Sequence, residues 1–422
     1  MLYCVGIMFV ALLACVVTGT PIYWGLALGW GVFAWYAHGS LGWRKVFSAS
    51  AAGLHTAWVV IKTLTLIGVL IGVWMASGTI ATIVSLVFAF VTPQTFVVMA
   101  FVSCAAVSLI IGTSFGTLSV VGVPLMIVAR SGHINADLVA GAIIAGIYVG
   151  DRCSPLSSSA NLVAAVTHTN LYHNVSNMWH SGWVPLGLSV AGFAWLGWRY
   201  PLAKLDMQVL SGLQHQFTIA WWQLIPAAIV IVMALMRLPI SRAIVVSSLV
   251  ALGLGYFGQH TNWAVMLEAG LVGFHPAHGV VSGGGIASML TAIIVVAISC
   301  ALAGVLNATS GLQQLQQRLV VNQTTPRRRF ARQLLVSVLA AGFGCNQSVA
   351  VILSHTLMKA NYQDRSQLAQ DIENTGIVVA PLVPWNIAVF VPTTVLAVSF
   401  AGYIPYALFL WLLPLWAWWR AH

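Results

Sequence analysis

Long apolar runs follow one another along this chain with little polar sequence between them, and two of the runs are interrupted by the same pattern. The first reads Gly150-x-x-x-Ser154-Pro155-Leu156 and the second, 226 residues on, Gly376-x-x-x-Ala380-Pro381-Leu382; Asn161 and Asn386 follow them. Glycine, proline and asparagine are poor helix formers. A backbone surrounded by lipid must satisfy its own hydrogen bonds, so a break at membrane depth is tolerated only where it is buried in protein or lines a wet cavity. A matched pair of breaks therefore points to a solute site. The pairing extends upstream, where Gly112-Thr113-Ser114-Phe115-Gly116 precedes the first break and Gly342-Phe343-Gly344-Cys345-Asn346-Gln347 precedes the second. The chain reads as two related halves, residues 1–205 and 206–422, each carrying one copy of the motif, as repeat-built secondary transporters do.

Composition sets the broad class. Hydrophobic residues make up 60% of the 422 and charged residues 6%, with a mean hydropathy of +0.93, which no soluble domain of this size shows. A spanning helix needs about 20 mostly apolar residues, so the chain has room for about ten to thirteen spans or half-spans. The apolar runs predict them at 3–19, 21–38, 57–76, 95–112, 117–130, 136–150, 182–198, 218–236, 240–257, 285–306, 333–353, 377–397 and 399–419. Alternation with a period of two is absent and small residues recur inside the runs, so the expected fold is all-α and polytopic rather than a β-barrel.

The balance of 17 Lys and Arg against 7 Asp and Glu gives a net charge of +10. It calls for no nucleic-acid partner, because the basic residues gather in short loops: Arg44 with Lys45, Arg199 with Lys204, Arg237 with Arg242, and Arg318 with Arg327, Arg328, Arg329 and Arg332. The last cluster is expected on the cytoplasmic side of the bilayer. The 18 tryptophans suit an interfacial belt. No Lys or Arg precedes Arg44, so the first run reads as a retained helix rather than a secretory signal. Six scattered cysteines form no C-x-x-C pair, which argues against a disulfide frame, a zinc site or any bound cofactor.

With only seven acidic residues, each can be weighed. Asp206 and Asp364 fall in polar connections, Asp137 at a helix start where a carboxylate caps free amides, and Asp371 on an amphipathic approach segment; Glu268 is undecided between surface and function. Asp151 and Glu373 differ because each is tied to a break. A carboxylate whose protonation competes with cation binding is what proton-coupled exchange needs. Asp151 adjoins Arg152, so a buried ion pair, a scaffold for the broken backbone and a proton-exchanging site all stay open for it. Ser154, Ser157, Ser158, Asn161, Thr375 and Asn386, with carbonyls freed at the breaks, offer the neutral oxygens a dehydrated sodium ion requires, and Asp151 with Asn161 is the expected sodium-holding pair. Thr113, Ser114 and Asn346, in the upstream members of the repeat, complete the candidate ion or solute site. His168, His173, His180 and His355 lie near the two repeat cores, but without an accompanying cysteine or carboxylate cluster they read as loop or helix histidines rather than metal ligands.

Gly112-Thr-Ser-Phe-Gly-Thr117, Gly150-Asp-Arg-Cys-Ser-Pro-Leu-Ser157 with Asn161-Leu162, Glu373-Asn-Thr-Gly376, and Pro381-Leu-Val-Pro-Trp-Asn386 together resemble the signatures of the NhaC-type sodium/proton antiporters, within the larger ion-transporter superfamily. Leu66-Ile-Gly-Val-Leu-Ile-Gly-Val-Trp-Met-Ala-Ser-Gly78 adds to the match. The resemblance implies two inverted repeats whose broken or re-entrant helices meet at mid-membrane, exchange of sodium ions against protons, and a multi-pass protein of the bacterial inner membrane. Members of that family typically read Ser-Pro-Leu-Ser-Asp-Thr-Thr-Asn in the first motif, where this chain has Ser154-Pro-Leu-Ser-Ser158-Ser159-Ala160-Asn161. Their Gly-Asp-Gln-Tyr becomes Gly344-Cys345-Asn346-Gln347-Ser348. Two carboxylates are thus replaced, at Ser158 and Asn346, and a sodium- or proton-coupled exchanger of organic acids or amino acids is the leading alternative. A membrane-embedded enzyme would place paired carboxylates or His/Asp clusters in a surface loop, and no such motif is present. Expected partners are the sodium ion, the proton and the lipid bilayer; self-association into a homo-oligomer is left open.

Overall fold

The computed structural model describes residues 2–202, 207–276, 282–309 and 325–421. Lys204, Asp206, Arg318 and the boundary drawn between residues 205 and 206 lie outside the described residues. In chain order the helices are α1 (Leu2–Thr18), α2 (Ile22–Leu41), α3 (Trp43–Ala76), α4 (Thr79–Phe90), α5 (Phe96–Ile111), α6 (Ser114–Ser131, with a π turn at Leu118–Gly122), α7 (Ala136–Cys153), α8 (Ser158–Thr167), α9 (Leu171–Arg199) and α10 (Met207–Gln216). There follow α11 (Ile225–Leu235), α12 (Ile240–Gly258), α13 (Trp263–Leu271), α14 (Gly285–Ala308), α15 (Pro326–Gly344), α16 (Gln347–Met358), α17 (Arg365–Val379), α18 (Ile387–Leu396), α19 (Phe400–Tyr403) and α20 (Leu408–Arg420). Among the described residues the one non-helical pairing is an isolated bridge between Phe274 and Gly283.

Among the described residues four helices are long and apolar enough to cross a bilayer unaided, and two further spans arise if each of two bent pairs counts as one. The count falls below that read from the sequence because several apolar runs end early. The run at 333–353 stops at Cys345, and 377–397 and 399–419 are each divided by a bend, of 45° in the first case and 54° in the second. The run at 57–76 is instead longer, since α3 extends back to Trp43 through a sequence with no glycine or proline before Gly53. Helices α4, α8, α10 and α13 had no counterpart among the runs.

Helices α3 and α14 pack closely and antiparallel, because small residues line the seam. A β-carbon at Gly53 would fall 2.1 Å from the Cys300 carbonyl oxygen, and one at Gly304 would fall 2.2 Å from that of Ala49. Without a hydrophobic force between helices in lipid, such close backbone approach is what holds a pair together.

The two halves repeat one backbone pattern. Helix α5 ends at Gly112 in the left-handed region (φ +72°), and extended Thr113 then starts α6. Helix α15 likewise ends at Cys345 (φ +50°), and extended Asn346 starts α16. Further on, α7 is capped at its start by Asn135 and breaks at Ser154; Ser157 caps α8, which ends at left-handed His168, and Asn170 caps α9. In the second half Asp364 caps α17, Asn386 caps α18, which ends at left-handed Ala397, and Ser399 caps α19. Each of these four cap and end positions is offset from its partner by the same 229 residues. The sequence pairing of Gly150 with Gly376 is therefore three residues out of structural register. The cause is local: α17 runs on as a 3-10 turn through Ala380–Leu382 before the chain extends at Val383, so Pro155 corresponds to Pro384.

The broken units α7–α8 and α17–α18 lie antiparallel. Gly402 packs on the Asp137 carboxyl, the Tyr148 hydroxyl donates to the Ala388 carbonyl at 2.6 Å, Arg152 reaches Glu373 and Asn374, and Val163 shares an apolar cluster with Leu368, Ala369 and Ile372. Along these contacts residue numbers rise in one unit as they fall in the other. After the breaks, α8 packs mainly on α16 and α17 of the opposite half, whereas α18 packs mainly on α14 of its own half and also touches α6 and α7.

Candidate functional site

Within each half the second break leans on the first. Ser154 Oγ donates to the Leu109 carbonyl at 2.7 Å, and Trp385 Nε1 donates to that of Gly342 at 2.8 Å. Both acceptors stand three residues before the left-handed residue that ends their helix, where a helix leaves carbonyls without internal partners. Asn386 Nδ2 adds a bond to the Ala341 carbonyl at 2.8 Å, and the Ile387 amide one to that of Cys345 at 2.9 Å. The broken backbone is thus satisfied by protein, as a lipid-embedded break must be.

Asp151 sits at the crossing, in the last turn of α7, and is buried. Its Oδ2 accepts from Ser159 Oγ at 3.0 Å and from Gln347 Nε2 at 2.8 Å. Ser157 Oγ caps α8, bonds the Asp151 carbonyl and approaches Asp151 Oδ1 at 3.5 Å. Gln347 opens α16 in the second half and also reaches the Ile377 carbonyl at 3.4 Å, so one amide joins the breaks of both halves at a carboxylate.

Arg152 is fully buried, and each of its guanidinium bonds goes away from Asp151. Nε donates to the Glu373 carbonyl at 3.3 Å, Nη1 to the Met178 carbonyl and Cys153 Sγ, and Nη2 to Ser181 Oγ at 2.8 Å and Asn374 Oδ1 at 2.5 Å. It therefore ties α7, α9 and α17 together and is no ion-pair partner of Asp151. Glu373 is fully buried beside Arg152 and Asn174, and its two carboxyl oxygens have no hydrogen-bond partner.

The other residues singled out by the sequence fall into three groups. Thr375 is buried in a hydroxyl chain with Ser337 and Ser354, and Asn386 spends its amide on backbone groups of its own half. Asn161 is exposed, and its Nδ2 braces the break by donating to the Pro155 and Ser157 carbonyls, while Asn346 caps α16; neither side chain bonds Asp151. Thr113 Oγ1 is buried without a partner, and Ser114 lies by Tyr148 at the opposite flank of the crossing. Of the replaced acids, Ser158 is exposed at the start of α8. Glu268 is exposed on α13, and Asp364 caps α17 rather than standing free in a connection. His180 is exposed, and among the described residues no group of three or more His, Cys, Asp or Glu is placed to hold a metal ion.

The motifs meet as packed side chains, with cavities at both ends of the bent pair α17–α18. One, of about 210 Å³, is lined by Asn177, His180, Ser181, Gln370, Asn374 and Arg420, and shares Ser181 and Asn374 with the Arg152 cluster. Pro326, at the start of the arginine-rich α15, lines it too. The other, also of about 210 Å³, is lined by Arg130, Met75, Ser288, Thr394 and Ala397, beyond the far end of α18. Gln347, Ser159, Asn174 and Tyr148 were missed as site members by the sequence reading. Their one signal was a polar side chain within an apolar run, which helix caps and packed hydroxyls share.

A polytopic helical membrane protein whose two halves cross through broken helices at a buried carboxylate is built as secondary transporters are. The chain belongs to the Na+/H+ antiporter family, whose family model matches residues 146–418 and so includes both broken units from the end of α7 onward. It is 28% identical to a malate-2H(+)/Na(+)-lactate antiporter of Bacillus subtilis, over 92% of this chain and 84% of the relative. It is 27% identical to the Na(+)/H(+) antiporter NhaC of Alkalihalophilus pseudofirmus, over 89% and 84%, and 26% identical to the arginine/ornithine antiporter ArcD of Halobacterium salinarum, over 92% and 82%.

Proposed function

We propose that the protein exchanges sodium ions for protons across a bacterial cytoplasmic membrane, with the two halves acting as inverted repeats around the crossing of α7–α8 and α17–α18. The observation that carries the reading is Asp151: a buried carboxylate at a helix break, held by Gln347 from the other half, so that its state of charge is coupled to how the halves sit together. Buried ionisable groups at membrane depth are costly and are retained for ion pathways and proton relays. Ser154, Ser157, Asn161, Thr375, Asn386, Thr113, Ser114 and Asn346 surround this crossing as the neutral oxygens of the route. The arginine-rich start of α15 is assigned to the cytoplasm, which makes the cavity at His180 and Arg420 the inner vestibule and the one at Arg130 the outer.

The testing experiment is a solute-dependent pH change in proteoliposomes, scanned over sodium, potassium and organic acids. Sodium-driven proton efflux is expected. A second reading, exchange of an organic anion, is favoured by the inner vestibule, whose His180, Arg420, Asn177 and Gln370 suit a carboxylate, and by the likeness to the malate/lactate exchanger. Flux that requires an organic acid and ignores sodium alone would replace the first reading with the second.

A further inference from the structure

The buried carboxyl of Glu373 lacks the well-formed hydrogen bonds that an ionised group needs. Glu373 is 0% exposed and Asn174, next to it on α9, is 1% exposed; neither Glu373 carboxyl oxygen has a hydrogen bond of normal geometry, and Asn174 is the one neutral side chain near enough to act on it. Asn174 Nδ2 is committed to Thr169 Oγ1 at 2.9 Å. Turning that amide over would give one carboxyl oxygen a donor and leave the second with none. Arg152 gives Glu373 only a bond to its carbonyl and directs the rest of its guanidinium to Met178, Cys153, Ser181 and Asn374.

The elements packed around α17 supply no other donor or charge at this point. Helix α15 meets it through Ser337, which bonds Thr375 of α17, and through Arg329, which lies over the Tyr362 ring beside Asp371; α16 meets it through Ser354 and Gln347, and α8 through the apolar Val163. From α20, Arg420 stands at the vestibule with Gln370 and Asp371, and the Asp371 carboxylate is engaged by the Tyr362 hydroxyl at 2.7 Å. Arg152 and the Cys153 thiol are the charged or titratable groups that face Glu373 from α7. An ionised carboxylate sealed from water without hydrogen bonds costs several kcal/mol even with a cation nearby. A bound proton removes that charge and turns one oxygen into a donor.

From this full burial without a well-formed hydrogen bond we propose that Glu373 is the group that holds the transported proton, while Asp151 stays the ionised carboxylate of the pair. The division follows the donors: Asp151 has Gln347, Ser159 and Ser157, and Glu373 has none in normal geometry. The proton's entry lies through the inner vestibule, since Ser181 and Asn374 both line that cavity and both bond Arg152, whose Nε touches the Glu373 backbone. The word "transported" rests on the antiporter reading; the protonated carboxyl does not.

The test is infrared spectroscopy of the full-length protein in lipid at neutral pH, reading the C=O band of a protonated carboxyl. The band is expected in the wild type and in Asp151→Asn, and is expected to vanish in Glu373→Gln; a band that persists in Glu373→Gln overturns the proposal. Asn174→Leu, which leaves the acid in place, is expected to move the band, and an unmoved band also overturns it. In proteoliposomes Glu373→Gln is expected to lose proton flux at least tenfold, and normal proton flux would overturn the assignment. A Glu373 band in a wild-type protein that shows no sodium-driven flux would sink the antiporter reading while supporting the protonated carboxyl.

Discussion

At the scale of single residues, Asp151 and Arg152 are neighbours with separate tasks. Asp151→Asn keeps an oxygen for Gln347 and Ser159 to donate to, so the fold should survive at a cost of about 1.5–3 kcal/mol, the order of a hydrogen bond to a charged group. Sodium-driven proton flux should nevertheless fall by at least about tenfold, equivalent to ~1.4 kcal/mol of lost differential binding. Unchanged flux in proteoliposomes would make Asp151 a scaffold. Arg152→Met should act oppositely, because it strips bonds from α9 and α17 and orphans the buried acceptors Ser181, Asn374 and Met178. A loss of about 3–5 kcal/mol is expected, the range for removing one member of a buried charged network; a melting temperature close to wild type would contradict the clamp. The burial of Asp151 at a helix break was legible in the sequence from its place beside Gly150 among very few acids. That Arg152 turns away from it was not, because adjacent side chains near a helix end point in directions only the packing decides. Asn161 was open to two readings for a related reason: an asparagine just after a break is as well suited to bracing freed carbonyls as to holding an ion, and here its Nδ2 braces the Pro155 and Ser157 carbonyls.

At the scale of elements, the two halves solve one backbone problem with different residues. Both α5 and α15 end in a left-handed residue, but the first uses Gly112 and the second Cys345. For an L-residue that conformation costs roughly 1–2 kcal/mol. Cys345→Gly should therefore be neutral to stabilising by up to about 1 kcal/mol, less the buried side chain's packing. Gly112→Cys should be clearly destabilising, since its β-carbon would stand 2.6 Å from the Leu156 carbonyl carbon as well as adopting φ +72°. Thermal unfolding of the detergent-solubilised protein separates the two, and equal shifts would deny that the breaks are locally alike. A similar argument applies to the α3–α14 seam, where Gly53→Leu should prevent close packing and cost ~1–3 kcal/mol or more by overpacking; a folded protein of unchanged stability would show that the seam gives way. The sequence revealed where helices break but not the register of the repeat. Matching glycines and prolines suggested one pairing, whereas the hydrogen-bonding caps, Ser157 with Asn386 and Asn170 with Ser399, define another three residues away. A cap is fixed by which side chain accepts from the first free amides, and several types serve, so its pattern is faint in residue identity.

At the scale of the whole molecule, the antiparallel crossing decides how the two ends of the site are reached. If α17 and α18 form one broken span with a 45° bend, the cavity at Gln370 and the cavity at Thr394 open on opposite faces of the membrane. If the pair were a re-entrant loop, both would open on one face, and exchange could not proceed by exposing the same carboxylates to each side in turn. The charge pattern assigns the faces: α15 begins with Arg327, Arg328 and Arg329 at the Gln370 end, and Arg44 with Lys45 starts α3, whose antiparallel packing on α14 sets that start beside the end of α14. A membrane-impermeant thiol reagent provides the check, because five of the six native cysteines are buried and Cys4 is half-buried. Gln370→Cys should react from the cytoplasmic side and Thr394→Cys from the opposite side, each in membranes of defined orientation. Sodium should slow the two reactions unequally, since an ion bound at the crossing favours one arrangement of the halves and a ligand shifts only the equilibrium whose two states it distinguishes. Labelling of both positions from one face would overturn the broken-span topology, and with it the proposed inverted arrangement of the two halves and the proposed alternating exposure of Asp151 and Glu373.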